Sequence, residues 1–347
     1  MDHVAIDLGG KESQICIRAA DGTILSEDRQ ATRSLGKYLG KLAPSRVVVE
    51  TCAEAFGVAD AAKAAGHEAV VVPATLVRAL GVGSRGLKND KRDARNLSEA
   101  SCRMARLPSV HIPSPISREL KTACGMREAL VGSRTKLINS VRGWLRGQAL
   151  APLPAGAPES FPGRVRNLLA KHERSSPSYV ERQLTAIDAL SKEIAAAERE
   201  LGALAKKDAV CQRLMTVPGV GPLTAIRFVA GVDDVDRFPN AHALQSYLGL
   251  TPGQDSSSER KRNTSITKAG SSELRWTLVQ AAWCAQRARR SDPMVVWAKE
   301  IAQRRGKGIA TVALARKLTG ILYALWRRGT RYEAARASSS LPPTPTA

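Results

Sequence analysis

Cysteine and histidine are scarce and scattered along this sequence. Its six cysteines contain no C-x-x-C pair, and its five histidines form no cluster. Cysteines placed so far apart are typical of buried, reduced thiols, whereas zinc sites need closely spaced ligands. The sequence therefore gives no support for a disulfide framework, a zinc site or a Ser-His-Asp catalytic arrangement.

Long hydrophobic runs are also missing. No window approaches the length of about twenty apolar residues that spans a bilayer. Asp2, His3 and Asp7 interrupt the first residues, so the start of the chain does not resemble an export signal. We therefore expect a soluble cytoplasmic protein with no membrane partner.

Acidic residues are few relative to basic ones. The chain of 347 residues has 53 Lys and Arg against 32 Asp and Glu, a net charge of +21, and 43% of it is hydrophobic. This is enough for two or three domains with packed cores. Because counterion release from phosphates favours distributed basic charge, a polyanion is the expected partner. The alternative is a basic protein whose charge only keeps it in solution.

The first hundred residues alternate strand and helix patterns. The predicted strands are Val4–Leu8, Gln14–Arg18, Thr23–Leu25, Arg46–Glu50 and Glu68–Val72, and the predicted helices are Leu35–Leu42, Ala55–Ala65 and Asn89–Leu107. The order βββαβαβα is that of an α/β ribonuclease-H-like domain, which we place at residues 1–110. Actin-like kinases repeat the same unit and remain an alternative.

The rest of the sequence has helical periodicity. Residues 111–208 combine a long helix from Ser117 to Leu150, a Pro/Gly-rich hinge or linker at Pro152–Gly163, and an apolar repeat from Val180 to Leu204. The repeat predicts a short coiled coil or an amphipathic helix packed on its own domain. Residues 209–330 predict an all-α domain, and the Ser/Pro/Thr-rich residues 331–347 predict a disordered tail.

Four carboxylates occupy positions that should converge in such a fold. Asp7 and Glu50 follow two strands that neighbour each other in the sheet, and Asp90 and Asp93 share one face at the start of the last helix. Oxygen ligands without His or Cys select Mg²⁺ or Mn²⁺, which can stabilise both oxygens exchanged at a phosphodiester. Taken singly, each residue could instead cap a loop or complement a helix dipole.

The glycine pair after Asp7 offers a competing interpretation. The segment Ala5–Gly10 resembles the phosphate loop of sugar kinases and other actin-like ATPases. A kinase of that class should repeat the loop in a second half and carry a later Gly-Gly adenosine motif. Neither feature occurs in this sequence.

Two further motifs lie in the C-terminal region. Leu214–Ala225 reads as a helix-hairpin-helix, whose Gly219 and Gly221 would expose backbone N–H groups to a DNA phosphate, or as a simple turn between packed helices. A serine run at 256–258 is flanked by basic residues that we predict to contact nucleic acid: Arg260, Lys261, Arg262, Lys268 and Arg275. Composition alone leaves the serines as a mobile surface loop, phosphate ligands or a nucleophile.

Together these motifs resemble insertion-sequence family one-ten, the DEDD transposases, also described as bridge-RNA-guided recombinases. The shared elements are Asp7, Glu50, the Lys-Asn-Asp-x-x-Asp-Ala segment, the Val-Pro-Gly-Val-Gly-Pro turn and the Gly-Leu-Thr-Pro-Gly-Gln-x-Ser-Ser segment. They occur in the family's order between about residues 4 and 328. The resemblance implies a RuvC-like N-terminal domain, a coiled-coil linker and a C-terminal domain with a catalytic serine. Alignment favours Ser257, with Ser256 and Ser258 as alternatives.

The resemblance also implies a reaction and its partners. The enzyme would cut and rejoin donor and target DNA through a phosphoserine intermediate, with metal held by Asp7, Glu50, Asp90 and Asp93. A non-coding bridge RNA would guide it, and a dimer to tetramer of the chain would assemble in the bacterial cytoplasm, associated with the nucleoid. The alternatives are a metal-dependent nuclease of the Holliday-junction type that uses water, and a non-catalytic nucleic-acid-binding protein.

Overall fold

The computed structural model describes residues 1–77, 90–150, 152–257, 260–288 and 291–334, with the backbone alone at residues 77, 90, 254–257 and 260–263. The chain divides into two compact units, Met1–Pro113 and Ser114–Ala347. The segments predicted as a linker (from residue 114 on) and as a C-terminal domain lie together in the second unit. Most of the predicted disordered tail, residues 335–347, lies outside the described residues.

The first unit is built on a mixed sheet of five strands in the order β3-β2-β1-β4-β5. The strands are β1 His3–Asp7, β2 Glu12–Arg18, β3 Ile24–Ala31, β4 Arg46–Glu50 and β5 Glu68–Val72, and the helices are α1 Leu35–Leu39, α2 Ala55–Ala64, α3 Ala74–Val77 and α4 Asp90–Arg103. β2 pairs antiparallel with β1 and β3, whereas β1, β4 and β5 are parallel. This arrangement agrees with the ribonuclease-H-like prediction and places β1 at the centre of the sheet.

The third strand is longer than its sequence indicated. We predicted Thr23–Leu25, but β3 extends to Ala31 and pairs with the whole of β2. The added residues are mostly polar and partly exposed because β3 lies at the edge of the sheet. Edge strands carry fewer buried apolar side chains, so hydrophobic alternation identifies them poorly.

The two faces of the sheet have separate cores. Val4 and Ile6 of β1 are fully buried in a cluster with side chains of α1 and α2. Ala5, which points to the opposite face, is fully buried with Leu97 of α4 and Leu107. The sheet is therefore covered by helices on both faces.

The second unit is helical with one hairpin. Its helices are α5 Pro115–Gly147, α6 Phe161–Lys171, α7 Ser178–Lys207, α8 Ala209–Leu214, α9 Pro222–Val232, α10 Ala241–Tyr247, α11 Ser272–Ala288, α12 Pro293–Arg305 and α13 Lys307–Arg328, and its strands are β6 Pro252–Ser257 and β7 Arg260–Ile266. The prediction of an all-α region was therefore wrong at the serine run, which belongs to an antiparallel hairpin. Its polar sequence lacks the apolar alternation by which strands are recognised.

The predicted hinge at Pro152–Gly163 is part of the folded core at its C-terminal end. Phe161 begins α6 and is 1% exposed, in a cluster with Val165 of α6 and Leu184 of α7. Pro162 lies in the first turn of the helix, where proline is tolerated because its missing N–H has no helical partner. The proline that suggested a linker is thus a helix-start residue.

The apolar repeat between Val180 and Leu204 packs mostly within the second unit. Val180, Leu184 and Ile187 contribute to the core around α5 and α6. Leu201 belongs to a second core with helices further along the chain, whereas Leu204 is 46% exposed. This supports the amphipathic helix packed on its own domain and leaves the coiled coil without confirmation.

Among the described residues, α13 is the one helix long and apolar enough to cross a membrane. Leu314, Leu318 and Leu322 of this helix are fully buried in the main core of the second unit. Core helices of soluble proteins commonly pass the same length and composition test. The packing of α13 favours this interpretation.

Candidate active site

Asp7 and Glu50 lie on adjacent strands at one edge of the sheet. Asp7 ends β1 and Glu50 ends β4, and the two strands pair in parallel with Ile6 opposite Val49. Because the carboxyl ends of neighbouring parallel strands meet at the same edge, the two residues occupy neighbouring positions. Both are partly exposed.

Both carboxylates belong to the sheet face that α4 covers. Side chains alternate along a strand, so Asp7 shares a face with Ala5, and Glu50 shares a face with Val48. Ala5 and Val48 are fully buried in a cluster with Leu97 of α4. The carboxylates therefore lie at the outer end of a face whose inner part is apolar and covered by the helix.

Asp93 lies at the end of α4 that is nearest to this edge. The helix runs antiparallel to β1, since Oγ of Ser101 near its C-terminus lies 2.8 Å from Nδ1 of His3 at the start of β1. Leu97 lies one helical turn before Ser101, and Asp93 lies about two turns before it, so all three share one face of the helix. Asp93 is 7% exposed. The helix thus carries a buried carboxylate toward the edge at which β1 ends.

The structure describes the side chains of three of the four predicted metal-binding carboxylates. The side chain of Asp90 lies outside the described residues, and among those described no three Asp, Glu, His or Cys side chains form a ready-made ligand group. Carboxylates repel one another unless a cation compensates their charge. Asp7, Glu50 and Asp93 offer only oxygen donors from three elements that meet at one edge, and this donor chemistry fits a hard divalent cation.

A contact that the sequence did not reveal fixes the start of α4. Arg95 donates hydrogen bonds to both carboxylate oxygens of Glu27 on β3, and Lys91 Nζ lies 3.4 Å from Oε2 of the same carboxylate. The hydrogen bonds from Arg95 lower the pKa of Glu27 from its ordinary 4.5 to about 2. Because Lys91 and Arg95 flank Asp93, the contact orients the turn that carries it. Sequence reasoning missed Glu27 since the third strand was predicted to end before it.

Glu27→Gln is expected to lower the free energy of unfolding at neutral pH. A carboxyl group whose pKa is depressed in the folded state stabilises that state above about pH 4.5 and loses the contribution as the pH falls toward about 2. The difference between wild type and variant should therefore shrink across this interval in urea unfolding experiments. Glu12→Gln is the control, because the Glu12–Arg29 ion pair is 52% and 64% exposed and should contribute little. Equal effects of the two substitutions would contradict the role given to Glu27.

A tight turn follows Asp7 and accounts for the glycine there. A Cβ atom at Gly9 would lie 2.3 Å from the carbonyl oxygen of Glu12, so a side chain does not fit. Thr32 Oγ1 donates a hydrogen bond to the carbonyl oxygen of Gly9 at 2.6 Å. The close backbone approach explains Gly9 without the bound phosphate of the kinase interpretation.

Ser256 and Ser257 end β6, the first strand of the hairpin. In the backbone register Ser256 lies opposite Lys261, and Ser257 lies opposite Arg260. The side chains of Ser256, Ser257, Arg260, Lys261 and Arg262, and all of Ser258, lie outside the described residues. The structure thus gives the backbone position of the predicted nucleophile and of the basic residues across from it.

Close backbone contacts hold the base of the hairpin. Gly249 and Gly270 both have positive φ, and a Cβ atom at Gly249 would lie 2.3 Å from the backbone nitrogen of Ala269. Arg275 donates a hydrogen bond to the carbonyl oxygen of Ala269 at 2.9 Å. Arg275, predicted as a nucleic-acid contact, therefore also secures this turn, whereas Lys268 is exposed.

The two glycines of the turn between α8 and α9 have different surroundings. Gly219 has a φ of +84°, and a Cβ atom there would lie 2.2 Å from the carbonyl oxygen of Ala281 on α11. Gly219 thus allows the turn to pack closely on α11, as expected for a turn between packed helices. Gly221 is exposed at the N-terminus of α9, and a Cβ atom there would meet nothing within 4 Å. Gly221 is the better candidate for a backbone contact with phosphate.

Two family models match the elements that carry these features. Residues 4–149 match a model described as a transposase, of the DEDD type of IS110 elements. Residues 211–294 match the model described as the transposase IS116/IS110/IS902 family. The first match includes the sheet and α4, and the second includes the glycine turn and the serine hairpin.

Known proteins are similar over most of their lengths. The chain is 34% identical to the transposase for insertion sequence element IS1111A of Coxiella burnetii, over 71% of this chain and 68% of the relative. It is 31% identical to a probable family 20 transposase of Pseudomonas aeruginosa, over 85% of this chain and 88% of the relative. It is 28% identical to the transposase for insertion sequence element IS1328 of Yersinia enterocolitica, over 94% and 97%. The chain therefore belongs to the IS110 family of insertion-sequence transposases, and it is a DNA transposase.

Proposed function

We propose that this transposase is a site-specific recombinase in which Ser257 bonds to DNA and Asp7, Glu50, Asp90 and Asp93 hold Mg²⁺ or Mn²⁺. The observation that carries the proposal is the sheet edge at which two strands end in carboxylates and α4 directs a buried third one. The serine is inferred from the resemblance to the family, whose usual Ser-Gly stands as Ser257-Ser258 in this chain, with Ser257 at the end of β6. Both parts occur in one chain of a transposase family.

The carboxylates would hold the metal at the edge of the sheet. A divalent ion at this edge would stabilise charge on the attacking and leaving oxygens of a phosphodiester. Asp7 and Glu50 are held by paired strands, and Asp93 is held by the packing of α4 on the sheet. Ligands on regular elements are placed more accurately than ligands on loops, which suits a reaction at a fixed phosphorus atom.

Ser257 would conserve the phosphodiester during recombination. Its hydroxyl oxygen forms a bond to the scissile phosphorus while the bond from phosphorus to the leaving sugar oxygen breaks. The serine proton passes to solvent water, and the leaving oxygen takes one up. A free sugar hydroxyl from another DNA end then reverses the reaction and displaces the serine, so the strand is joined without an external energy source.

The two halves of the proposed site lie in different compact units, with the carboxylates in Met1–Pro113 and Ser257 in Ser114–Ala347. We propose that they act together in a homo-oligomer, between a dimer and a tetramer, in which one protomer supplies the serine and another the carboxylates. Gly219, Gly221, Lys268, Arg275 and the basic residues of β7 (Arg260, Lys261 and Arg262) would contact the DNA or RNA backbone.

A non-coding RNA of the bridge type is the proposed guide to donor and target DNA. The net charge of +21 suits a large polyanionic partner, and the scattered cysteines and histidines provide no zinc finger to read bases. Base pairing by an RNA can supply sequence specificity that the protein lacks. We expect sequencing of nucleic acid that co-purifies with the protein to recover one discrete non-coding RNA. Recovery of only random cellular RNA would contradict this part of the proposal.

The second candidate is a metal-dependent nuclease of the Holliday-junction type, favoured by the same carboxylate edge without the serine. Water would then attack the phosphorus atom, and no covalent intermediate would form. Trapping of a protein–DNA adduct separates the two functions. An adduct supports the recombinase, and metal-dependent cleavage without one supports the nuclease.

A further inference from the structure

A small cavity in the second unit lies away from all the residues assigned above. It measures about 120 Å³ and is lined by α5, α6 and the segment between them: Thr135, Ile138, Asn139, Arg142, Gly156, Pro158, Phe161 and Arg164. A water needs only about a tenth of this volume, so the cavity has room for a tetrahedral phosphate group. No carboxylate is among the lining residues.

Two guanidinium groups converge on the wall of the cavity. Cζ of Arg142 lies 5.5 Å from the centre of the Phe161 ring, and Cζ of Arg164 lies 5.9 Å from the same centre. Phe161 is 1% exposed, and both cations lie within cation–π distance of this buried ring. Two arginines held together without a facing carboxylate form a site of positive potential.

The nearest carboxylate along the chain has its own partner. Glu159 accepts a hydrogen bond at 2.8 Å from Arg134, which is 6% exposed on α5. This arginine also lowers the pKa of the Glu159 carboxyl group, after the larger effect of the residue's own backbone N–H. Glu159 is therefore paired with Arg134 and does not line the cavity, and the two cavity arginines have no such pairing in the part of the chain that the structure describes.

Arg164 has a donor that nothing satisfies. Its Nη1 and Nη2 atoms donate to the carbonyl oxygens of Pro154 and Ala157, whereas its Nε is buried without a hydrogen-bond partner among the described residues. Buried donors are nearly always paired, and an exception points to a bound water or ion.

Gly156 makes the position of the Arg164 head group possible. A Cβ atom at residue 156 would lie 2.7 Å from Cζ and 2.8 Å from Nη1 of Arg164. Any side chain there would push the guanidinium group out of its place. A residue without a side chain in the predicted linker Pro152–Gly163 therefore leaves the space that the Arg164 guanidinium group occupies.

We propose that this cavity binds one phosphate group of a nucleic-acid backbone, through Arg142 and Arg164 with Asn139 as an additional donor. The inference uses the family membership of the chain and does not depend on Ser257 or on the carboxylates. The lining has two guanidinium groups and no carboxylate, which suits an anion, and a DNA transposase offers it phosphodiesters. DNA and a guide RNA share this chemistry.

The test is the salt dependence of binding to a random-sequence DNA duplex and to a random-sequence single-stranded RNA, each with the full-length protein. Arg142→Ala should weaken binding to one of these probes about tenfold at low salt. The logarithm of the association constant falls with the logarithm of the salt concentration. Arg142→Ala should make this slope less steep by about 0.9 for the duplex or about 0.7 for the single strand. A change with DNA identifies a DNA phosphate, and a change with RNA identifies an RNA phosphate.

The matched control is Arg146→Ala, one helical turn further along α5, exposed and outside the cavity. Gly156→Ala, which keeps every charge but displaces the Arg164 head, should weaken binding in the same direction as Arg142→Ala. Unchanged slopes for both probes with Arg142→Ala, or an equal loss with Arg146→Ala, would overturn the proposal. Since neither readout involves strand cleavage, failure here is distinct from failure of the proposed recombinase reaction.

Discussion

Ser257→Ala is expected to abolish DNA cleavage and covalent attachment to DNA while leaving DNA binding intact. Removing the attacking atom of a covalent mechanism costs about 10⁴-fold or more in rate, because the remaining groups cannot substitute for it. Binding should persist because it arises from basic charge spread over the whole chain. The measurement is denaturing gel electrophoresis of end-labelled DNA after incubation with protein and Mg²⁺.

Ser256→Ala and Ser258→Ala are the matched controls for this prediction. Both remove a neighbouring hydroxyl from the same run, and neither should eliminate the adduct if the alignment is correct. Ser257 ends β6 opposite Arg260, a defined position at the last backbone pair of the hairpin. An adduct that survives in Ser257→Ala and disappears in one of the other two would move the assignment by one residue without changing the mechanism.

Asp7→Asn and Glu50→Gln are each expected to lower the rate of metal-dependent DNA cleavage by about a thousandfold or more. Each substitution removes a charge at the sheet edge, and several kcal/mol of charge stabilisation correspond to this factor. Neither should unfold the protein, because the two residues are partly exposed and their like charges face the same edge. Thermal unfolding followed by circular dichroism checks the fold, and cleavage of the DNA substrate checks activity.

Asp2→Asn provides the control for the carboxylate variants. Asp2 precedes β1 at the opposite end of the strand from Asp7, so its removal changes the net charge equally but leaves the candidate edge untouched. Chelation of divalent ions should stop cleavage by wild type and by Asp2→Asn, and added Mg²⁺ or Mn²⁺ should restore it. Cleavage that continues under chelation would refute the carboxylate argument in full.

The central strands of the first unit could be predicted because burial dictates their composition. Val4–Ile6 and Val47–Val49 are nearly or fully buried, and such continuous apolar runs are typical of strands covered on both faces. Their order then indicates which strand ends are neighbours, and hence that Asp7 and Glu50 occupy neighbouring positions at one edge. This part of the candidate site follows from local sequence alone.

Other features of the fold and of the candidate sites depend on contacts between residues far apart in the sequence, so no local sequence pattern predicts them. The ion pair between Glu27 and Arg95 joins residues 68 positions apart. The hairpin at the serine run has polar residues on both strands, so neither strand shows a hydrophobic alternation. The cavity around Arg164 arises because a glycine and a buried phenylalanine meet in a segment whose composition resembles a linker.

The helix face of Asp93 was predictable in part. A spacing of three residues indicated that Asp90 and Asp93 share a face, but which face meets the sheet depends on packing. Ala94 and Leu97 are both buried, and Leu97 packs with Ala5 of β1 and Val48 of β4, so this part of the helix faces the sheet together with the buried Asp93. An isolated helix sequence with three basic residues among its first six could equally be a solvated surface helix.

The most direct test of the central claim is identification of the residue that becomes linked to DNA. The wild-type protein would be incubated with a DNA substrate and Mg²⁺, the adduct digested with nuclease and protease, and the modified peptide sequenced by mass spectrometry. We expect a nucleotide attached to Ser257 in the wild-type protein and no such nucleotide in the Asp7→Asn variant. DNA cleavage without any adduct, or an adduct formed equally well without divalent metal, would contradict it.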